Sequence, residues 1–348
     1  MFIRNCWYVA AWSHELPAGG IIARSIINEP LAIFRTEDGE IVVMADRCCH
    51  RAAPLSMGKL EGNEIRCAYH GFKFDHAGAC TEIPGQDNVP AKARVATYPA
   101  IERHSWIWVW MGAAEKADPD LIPAACGFDD PRWNLRSGQM DYAANYLLIN
   151  DNLTDFSHLS YVHVNSFGAT EAWARSRPKI TRLPRGIRVQ RWLKSDDSNL
   201  KGVRSGGEEL WSSYDFLVPG ILLMRSASYD TGTSAALNGG EPGPDVPCHN
   251  ENFTSQAVTA LTDSTSRYFF SWGPRAGEGT DELAEILKGI AIMAFTEDRI
   301  IIEAQQRTLD QCQNFDMVLS SADVGPVQFR SVIEQLIKAE GGTARLRL

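Results

Sequence analysis

The stretch CCHRAAPLSMGKLEGNEIRCAYHG, residues 48–71, places three cysteines and two histidines within 24 residues. Thiolates and imidazoles are metal ligands, and so dense a set in one segment points to a metal site rather than to packing. The stretch divides into two similar halves: Cys-x-His, then, after sixteen residues, Cys-x-x-His. On that division the donors are Cys48, His50, Cys67 and His70, with Cys49 a rival for the first position. Two cysteines and two histidines suit tetrahedral zinc. Zinc modules, however, usually offer their cysteines as one close pair and their histidines as another, whereas here each half supplies one of each. Such halves fit a two-iron cluster in which both thiolates hold one iron and both imidazoles the other. That ligation raises the potential above that of an all-thiolate cluster.

A second donor set lies in NDNLTDFSHLSYVH, residues 150–163, where His158 and His163 follow Asp151, Asn152 and Asp155. The segment reads as helical, and a spacing of five residues sets side chains about 140° apart on a regular helix. One ion held by both histidines therefore requires a helix that is distorted or ends between them; a π-bulge is one such distortion. A completing carboxylate has to come from elsewhere. Residues 281–310, DELAEILKGIAIMAFTEDRIIIEAQQRTLD, read as a long amphipathic helix with Leu283, Leu287, Ile290, Ala294, Ile301 and Gln305 on one stripe. Glu297 and Asp298 each lie about 50° from its centre, so helical geometry does not choose between them.

The elements that must position these donors fall into two parts. The first third reads as β: PLAIFRTEDGEIVVM is a hairpin turning at Asp38-Gly39, FDHAGACTEI a second turning at Ala77-Gly78, and SWIWVWM a strand. The pattern loses its period and prolines appear near GAAEKADPDLIP, which predicts domains at 1–116 and 117–348. Beyond it, ITRLPRGIRVQRWLK, DFLVPGILLMRSASY and SRYFFSW read as sheet strands, and VQFRSVIEQLIKAE as a second helix. LNGGEPGPDVPCHN, residues 237–250, reads as a Gly/Pro loop or lid. No Gly-x-Gly-x-x-Gly follows a strand and no Walker loop is present, so nicotinamide or flavin chemistry has to come from another protein.

Composition bounds the rest. A chain of 348 residues, 44% hydrophobic and 22% charged, is long enough for two cores. The start, MFIRNCWYVAAW, has no signal-peptide pattern, and no stretch approaches the roughly 18 apolar residues of a membrane span. The expectation is a cytoplasmic protein whose eight cysteines are free thiols or metal ligands rather than disulfides. A net charge of −9 disfavours nucleic acid as partner.

With both donor sets in view, CCHR followed by CAYHGFKFD resembles the Rieske signature of Rieske non-haem iron oxygenases. The resemblance implies that Cys48 is the ligand and Cys49 the variable spacer. The run Asn152-x-x-Asp155-x-x-His158-x4-His163 is similar to the mononuclear-iron motif of the same family, in which two histidines and a distant carboxylate hold Fe(II). The FTEDRIIIEA context resembles the segment that supplies the carboxylate and implies Asp298. The matching Asp of the family links a cluster histidine to an iron histidine across a subunit boundary. Asp155 would thus join His70 of one subunit to His158 of the next, in a head-to-tail homotrimer, with Asn152 near the iron but not tightly bound to it. Asp151 receives no role.

The resemblance runs over nearly the whole chain. NCWYVAAW and IPGQDNVPAKARVATYP place it with the oxygenase components of the vanillate O-demethylase, dicamba O-demethylase and toluenesulfonate methyl-monooxygenase group. It implies an α+β chain: an all-β Rieske [2Fe-2S] domain, then a helix-grip catalytic domain with a curved antiparallel sheet and a long C-terminal helix. It implies monooxygenation of a methoxy or methyl group on an anionic aromatic compound. Dioxygen is the oxidant, and electrons pass from NADH through a separate flavin and iron–sulfur reductase or ferredoxin. Arg267, in TSRYFFSW, is the expected anchor for the substrate's anion, at a place where relatives commonly carry His; Arg225 is a weaker one. The rival readings are ring cis-dihydroxylation and, from another class, an electron carrier or a zinc-stabilised binding protein.

Overall fold

The computed structural model describes residues 1–167, 169–193, 208–312, 315 and 317–342. The chain divides into two compact units, one of Phe2–Ile122 with Thr259–Asp263, the other of Met1, Pro123–Val258 and Ser264–Leu348.

The first unit is built from short strands: β1 (Cys6–Trp12), β2 (Ile21–Ile26), β3 (Glu29–Arg35), β4 (Ile41–Ala45), β5 (Lys59–Glu61), β6 (Glu64–Arg66), β7 (Lys73–Phe74), β8 (Cys80–Glu82), β9 (Thr97–Tyr98), β10 (Ala100–Arg103) and β11 (Trp106–Met111). They form three sheets, in the orders β1-β11-β10, β2-β3-β4-β9 and β5-β6-β7-β8. The Asp38-Gly39 hairpin forms, pairing Leu31 with Ala45 through Arg35 with Ile41. The second hairpin turns at Gly78, where φ is +75° and a Cβ would meet the Val95 carbonyl oxygen at 2.2 Å, so only glycine fits. The connections β4–β5 and β6–β7 carry the four expected cluster ligands.

The second unit holds β12 (Arg136–Tyr142), α1 (Tyr146–Thr154), α2 (Leu159–Val162), α3 (Ala172–Arg175), β13 (Lys179–Leu183), β14 (Gly186–Leu193), β15 (Glu208–Leu217), β16 (Ile221–Asp230), α4 (Thr233–Ala236), β17 (His249–Ala260), β18 (Ser266–Pro274), α5 (Asp281–Gln311) and α6 (Val324–Ala339). Its seven strands follow the order β12-β18-β17-β16-β15-β14-β13. The chain is thus α+β, with a large antiparallel sheet and a long C-terminal helix. α5 packs on β12 and β18. Its first turn is capped by the Thr280 hydroxyl, which accepts from the Leu283 N–H.

The buried face of α5 differs from the expected stripe. It runs through Ala284, Leu287, Ala291, Ala294, Phe295, Asp298 and Ile302, while Ile301 and Gln305 face outward. The run Ile300-Ile301-Ile302 is apolar all round, so it marks no face; the small alanines that let the helix approach the sheet do. Asp298 falls on that buried face and Glu297 at its edge.

Candidate metal centres and active site

The two cysteine loops close in the same way. The Ala52 N–H donates to the Cys48 carbonyl (3.0 Å) and the Cys48 N–H to the Ala53 carbonyl (2.9 Å). In the second loop the Gly71 N–H donates to the Cys67 carbonyl (3.1 Å) and the Cys67 N–H to the Phe72 carbonyl (2.8 Å). Each turn needs a left-handed residue, supplied by Ala52 (φ +58°) and Gly71 (φ +74°). Arg66, paired with Glu61 and Glu82, also donates to the Gly71 carbonyl (2.7 Å) and pins the second loop.

These turns bury the Cys48 and Cys67 thiols beside each other and leave both imidazoles exposed, their ring centroids 4.6 Å apart. His50 stacks on Phe72, and Tyr69 lies against His70. Burial pushes the Cys48 thiol up to about 11, and the Cys67 sulfur adds to the rise. Holding a metal there means displacing a proton. Desolvation, His50 and Arg51 keep the His70 imidazole below its ordinary value and thus neutral. Two inner thiols and two outer imidazoles are the donors a Rieske cluster uses. Cys49 is exposed.

The second donor set is assembled by a broken helix. α1 stops at Thr154 because Asp155 is extended (φ −130°, ψ 101°), and its carboxylate accepts from the Ser157 N–H (2.8 Å) and hydroxyl (2.9 Å). A single 3-10 turn, Phe156–His158, leads into α2, and His163 caps the end of α2 with non-helical torsions. The helix therefore breaks at Asp155, ahead of both histidines, and a short turn of α2 separates His158 from His163 at its C-cap. His158, His163 and Asp298 bring one donor atom each within 4.8 Å of one another.

Outer contacts turn both imidazoles inward. His158 Nδ1–H donates to the main-chain carbonyl of Asp155 (2.5 Å), and His163 Nδ1–H to the Glu297 carboxylate (2.9 Å). Both Nε2 atoms then face Asp298 Oδ1, at 3.5 and 3.2 Å. Ser166 holds Glu297 from the other side (2.6 Å). Burial lowers the pKa of His158. It opposes charge on His163 too, but Asp298 and Glu297 outweigh it and raise that pKa. The Asn152 amide donates to Asp298 Oδ1 (3.0 Å) and lies 3.3 Å from His158 Nε2. Two imidazoles and one carboxylate suit Fe(II) with positions left open.

The triad and Asn152 form one wall of a cavity whose other walls include Phe156, Phe167, Trp173, Trp272 and Phe295. Ser212, Ser226 and Gln256 add hydroxyls and an amide from the sheet; Gln256 is fixed by Tyr268 (2.5 Å) and Thr254 (3.1 Å). Arg267 is not brought to this cavity. Side chains alternate along β18, so Tyr268 and Trp272 face it and Arg267 faces away. Its guanidinium forks Asp141 on β12 (2.6 and 2.8 Å). Arg225 likewise points away, pairing with Glu251, while its neighbours Met224 and Ser226 line the cavity. Asp151, given no role by sequence, accepts from buried Arg330 of α6.

A buried thiol pair with surface imidazoles in an N-terminal β unit, followed by a two-histidine, one-carboxylate triad in a sheet-lined cavity, defines the Rieske non-haem iron oxygenases. A Rieske [2Fe-2S] domain model matches residues 6–99 and the vanillate O-demethylase oxygenase C-terminal domain model residues 142–339. The chain is 42% identical to the toluene-4-sulfonate monooxygenase system iron-sulfur subunit of Comamonas testosteroni, over 99% of this chain and 100% of that protein. It is 32% identical to the vanillate O-demethylase oxygenase subunit of Pseudomonas sp. (strain ATCC 19151), covering 90% and 96%. The crystal structure of dicamba monooxygenase bound to dicamba superposes with a TM-score of 0.85 at 28% identity, covering 98% and 99%. The chain belongs to the vanillate O-demethylase oxygenase family, as the oxygenase component of a Rieske aromatic monooxygenase.

Proposed function

We propose that this oxygenase hydroxylates a methyl or methoxy substituent of an anionic aromatic compound, with residues 1–116 as the electron-accepting domain and 117–348 as the catalytic one. The carrying observation is the convergence of His158, His163 and Asp298 on the wall of a mostly apolar cavity. Relatives named for toluene-4-sulfonate, vanillate and dicamba are described as monooxygenases and O-demethylases, which favours an exocyclic carbon over ring dihydroxylation. When bound, the cluster supplies single electrons and the mononuclear iron activates dioxygen. The aromatic walls orient a ring and exclude water, while Glu297 and the Asp155 carbonyl hold the two imidazoles in register. Hydroxylation of a methoxy carbon yields a hemiacetal that releases formaldehyde; a methyl carbon yields a benzylic alcohol. A separate flavin and iron–sulfur reductase or ferredoxin supplies electrons from NADH.

We place the working form as a head-to-tail homotrimer in the cytoplasm. Supporting the trimer, Met57 and Tyr69 are exposed near the cluster loops, and Tyr161 and Val164 near the iron histidines. Apolar surface beside both ends of the electron path suits docking of one subunit's cluster on the next subunit's iron. Asp155 would bridge them; within the chain its carbonyl already holds His158. Eight free cysteines favour a reducing compartment; no helix among the described residues is long and apolar enough to cross a membrane. The test is oxygen uptake with the reductase and a panel of methyl- and methoxy-benzoates and -benzenesulfonates. The reading requires stoichiometric formaldehyde or benzylic alcohol; a cis-diol product would contradict it.

A further inference from the structure

Arg191 is a buried cation left unmatched among the described residues. It lies in β14 directly opposite Ser212 of β15. Directly opposed residues of an antiparallel pair share a face, and Ser212 lines the cavity. The residue is only 6% exposed, and its Nε and Nη1 have no hydrogen-bond partner among the described residues. It lies over the Trp173 ring, 5.1 Å from Cζ, and Trp173 is itself a cavity wall. The neighbouring Tyr214 hydroxyl is also buried without a partner among the described residues, and the Tyr214 ring packs on Phe156, another cavity wall (centroids 4.8 Å). The nearby carboxylate is that of Asp155, but it is occupied by Ser157 and acts on Arg191 only through space. Buried charges are retained when something pairs with them, and here the unmatched donors sit behind the wall of a binding cavity.

We propose that Arg191, assisted by the Tyr214 hydroxyl, is the anion-binding group behind the Trp173 and Phe156 wall of the cavity. It takes the sulfonate or carboxylate of an aromatic substrate whose reacting carbon faces His158, His163 and Asp298. This rests on the oxygenase reading above and deepens it by naming the group that recognises the substrate's charge. The guanidinium stays ionised at all working pH values and suits oxyanions. An ordered anion there would satisfy donors left without a partner among the described residues.

The test is calorimetric binding of 4-methylbenzenesulfonate, 4-methylbenzoate and the neutral isostere 4-tolyl methyl sulfone to the iron-loaded protein. Wild type is expected to bind an anion at least 10-fold more tightly than the sulfone; whichever of the two binds better identifies the oxyanion. Arg191→Met should weaken that anion by about 10–100-fold and leave the sulfone within about 3-fold. Arg191→Lys, which keeps the charge, should fall between. Thermal melting and the visible spectrum check each variant's fold. If neither Arg191 variant folds, Tyr214→Phe carries the same comparison, with a selective anion loss of about 3–10-fold. Equal weakening of anion and sulfone, or no anion preference in wild type, would overturn the assignment. Oxygenation of these ligands without charge-selective binding sinks the Arg191 proposal alone. Charge-selective binding through Arg191 without oxygenation of any aromatic sinks the oxygenase reading and leaves Arg191 standing.

Discussion

Glu297 and Asp298 are adjacent carboxylates with opposite tasks, and their variants should separate cleanly. Asp298 is 4% exposed and faces both histidine Nε2 atoms, so on the proposed reading Asp298→Ala would remove a ligand. Glu297 accepts from His163 Nδ1 and from Ser166, and touches the site only through that imidazole. A charge-assisted hydrogen bond contributes about 1.5–3 kcal/mol, or roughly 10–100-fold in iron affinity, which is the usual cost of losing such an outer contact. Glu297→Ala should therefore bind mononuclear iron about 10–100-fold more weakly and recover it in excess Fe(II). Glu297→Gln, which keeps an acceptor but not the charge, should lose less. Asp298→Ala should stay empty at the same iron concentration while the cluster keeps its colour. Competitive Fe(II) titration against a chelator, with the cluster absorbance as internal reference, reads both. Iron retained by Asp298→Ala and lost irrecoverably by Glu297→Ala would reverse the two roles and refute the reasoning.

Cys48→Ser should abolish the cluster's visible absorption, whereas Cys49→Ser, altering an exposed spacer, should keep it. Gly71→Ala should destabilise the first unit by about 1–2 kcal/mol from left-handed backbone alone, and more because its Cβ would meet Pro84 Cγ at 2.8 Å. Ala52→Gly, at the matching left-handed position, should be tolerated; differential scanning at fixed iron loading compares the two. Arg330→Met strands the Asp151 carboxylate, whose pKa burial already raises, and should cost about 3–5 kcal/mol in chemical denaturation. Adding Asp151→Asn to that variant should restore part of the loss, since the uncompensated charge is then gone.

The cluster loops were legible because their donors are close in sequence: spacing brought Cys48 or Cys49 with His50, Cys67 and His70 into one candidate metal site, and the family resemblance chose Cys48. The hairpin at Gly39, the strand Trp106–Met111 and the long C-terminal helix were legible through alternation, turn chemistry and period. Asp298 was less so. The isoleucine run gives α5 no clear apolar side, and only packing of its alanines on the sheet turned Asp298 inward. Arg267 misled because its aromatic neighbours mark a strand but not which face of it looks into the cavity; pairing with Asp141 on β12 settles that only in three dimensions. Arg191 and Tyr214 carried no local signal, since what distinguishes them is burial without a partner among the described residues. The mate of Asp151 lies 179 residues away.

The most direct measurement is the iron content of the purified protein, with its visible absorption and its electron paramagnetic resonance after dithionite reduction. The donor sets predict a red-brown protein with about three irons per chain, two in a cluster and one alone, and the reduced signal of a mixed Cys/His two-iron centre. A colourless protein carrying zinc on Cys48, His50, Cys67 and His70 would make that loop pair a structural clip, and the oxygenase account would fall with it.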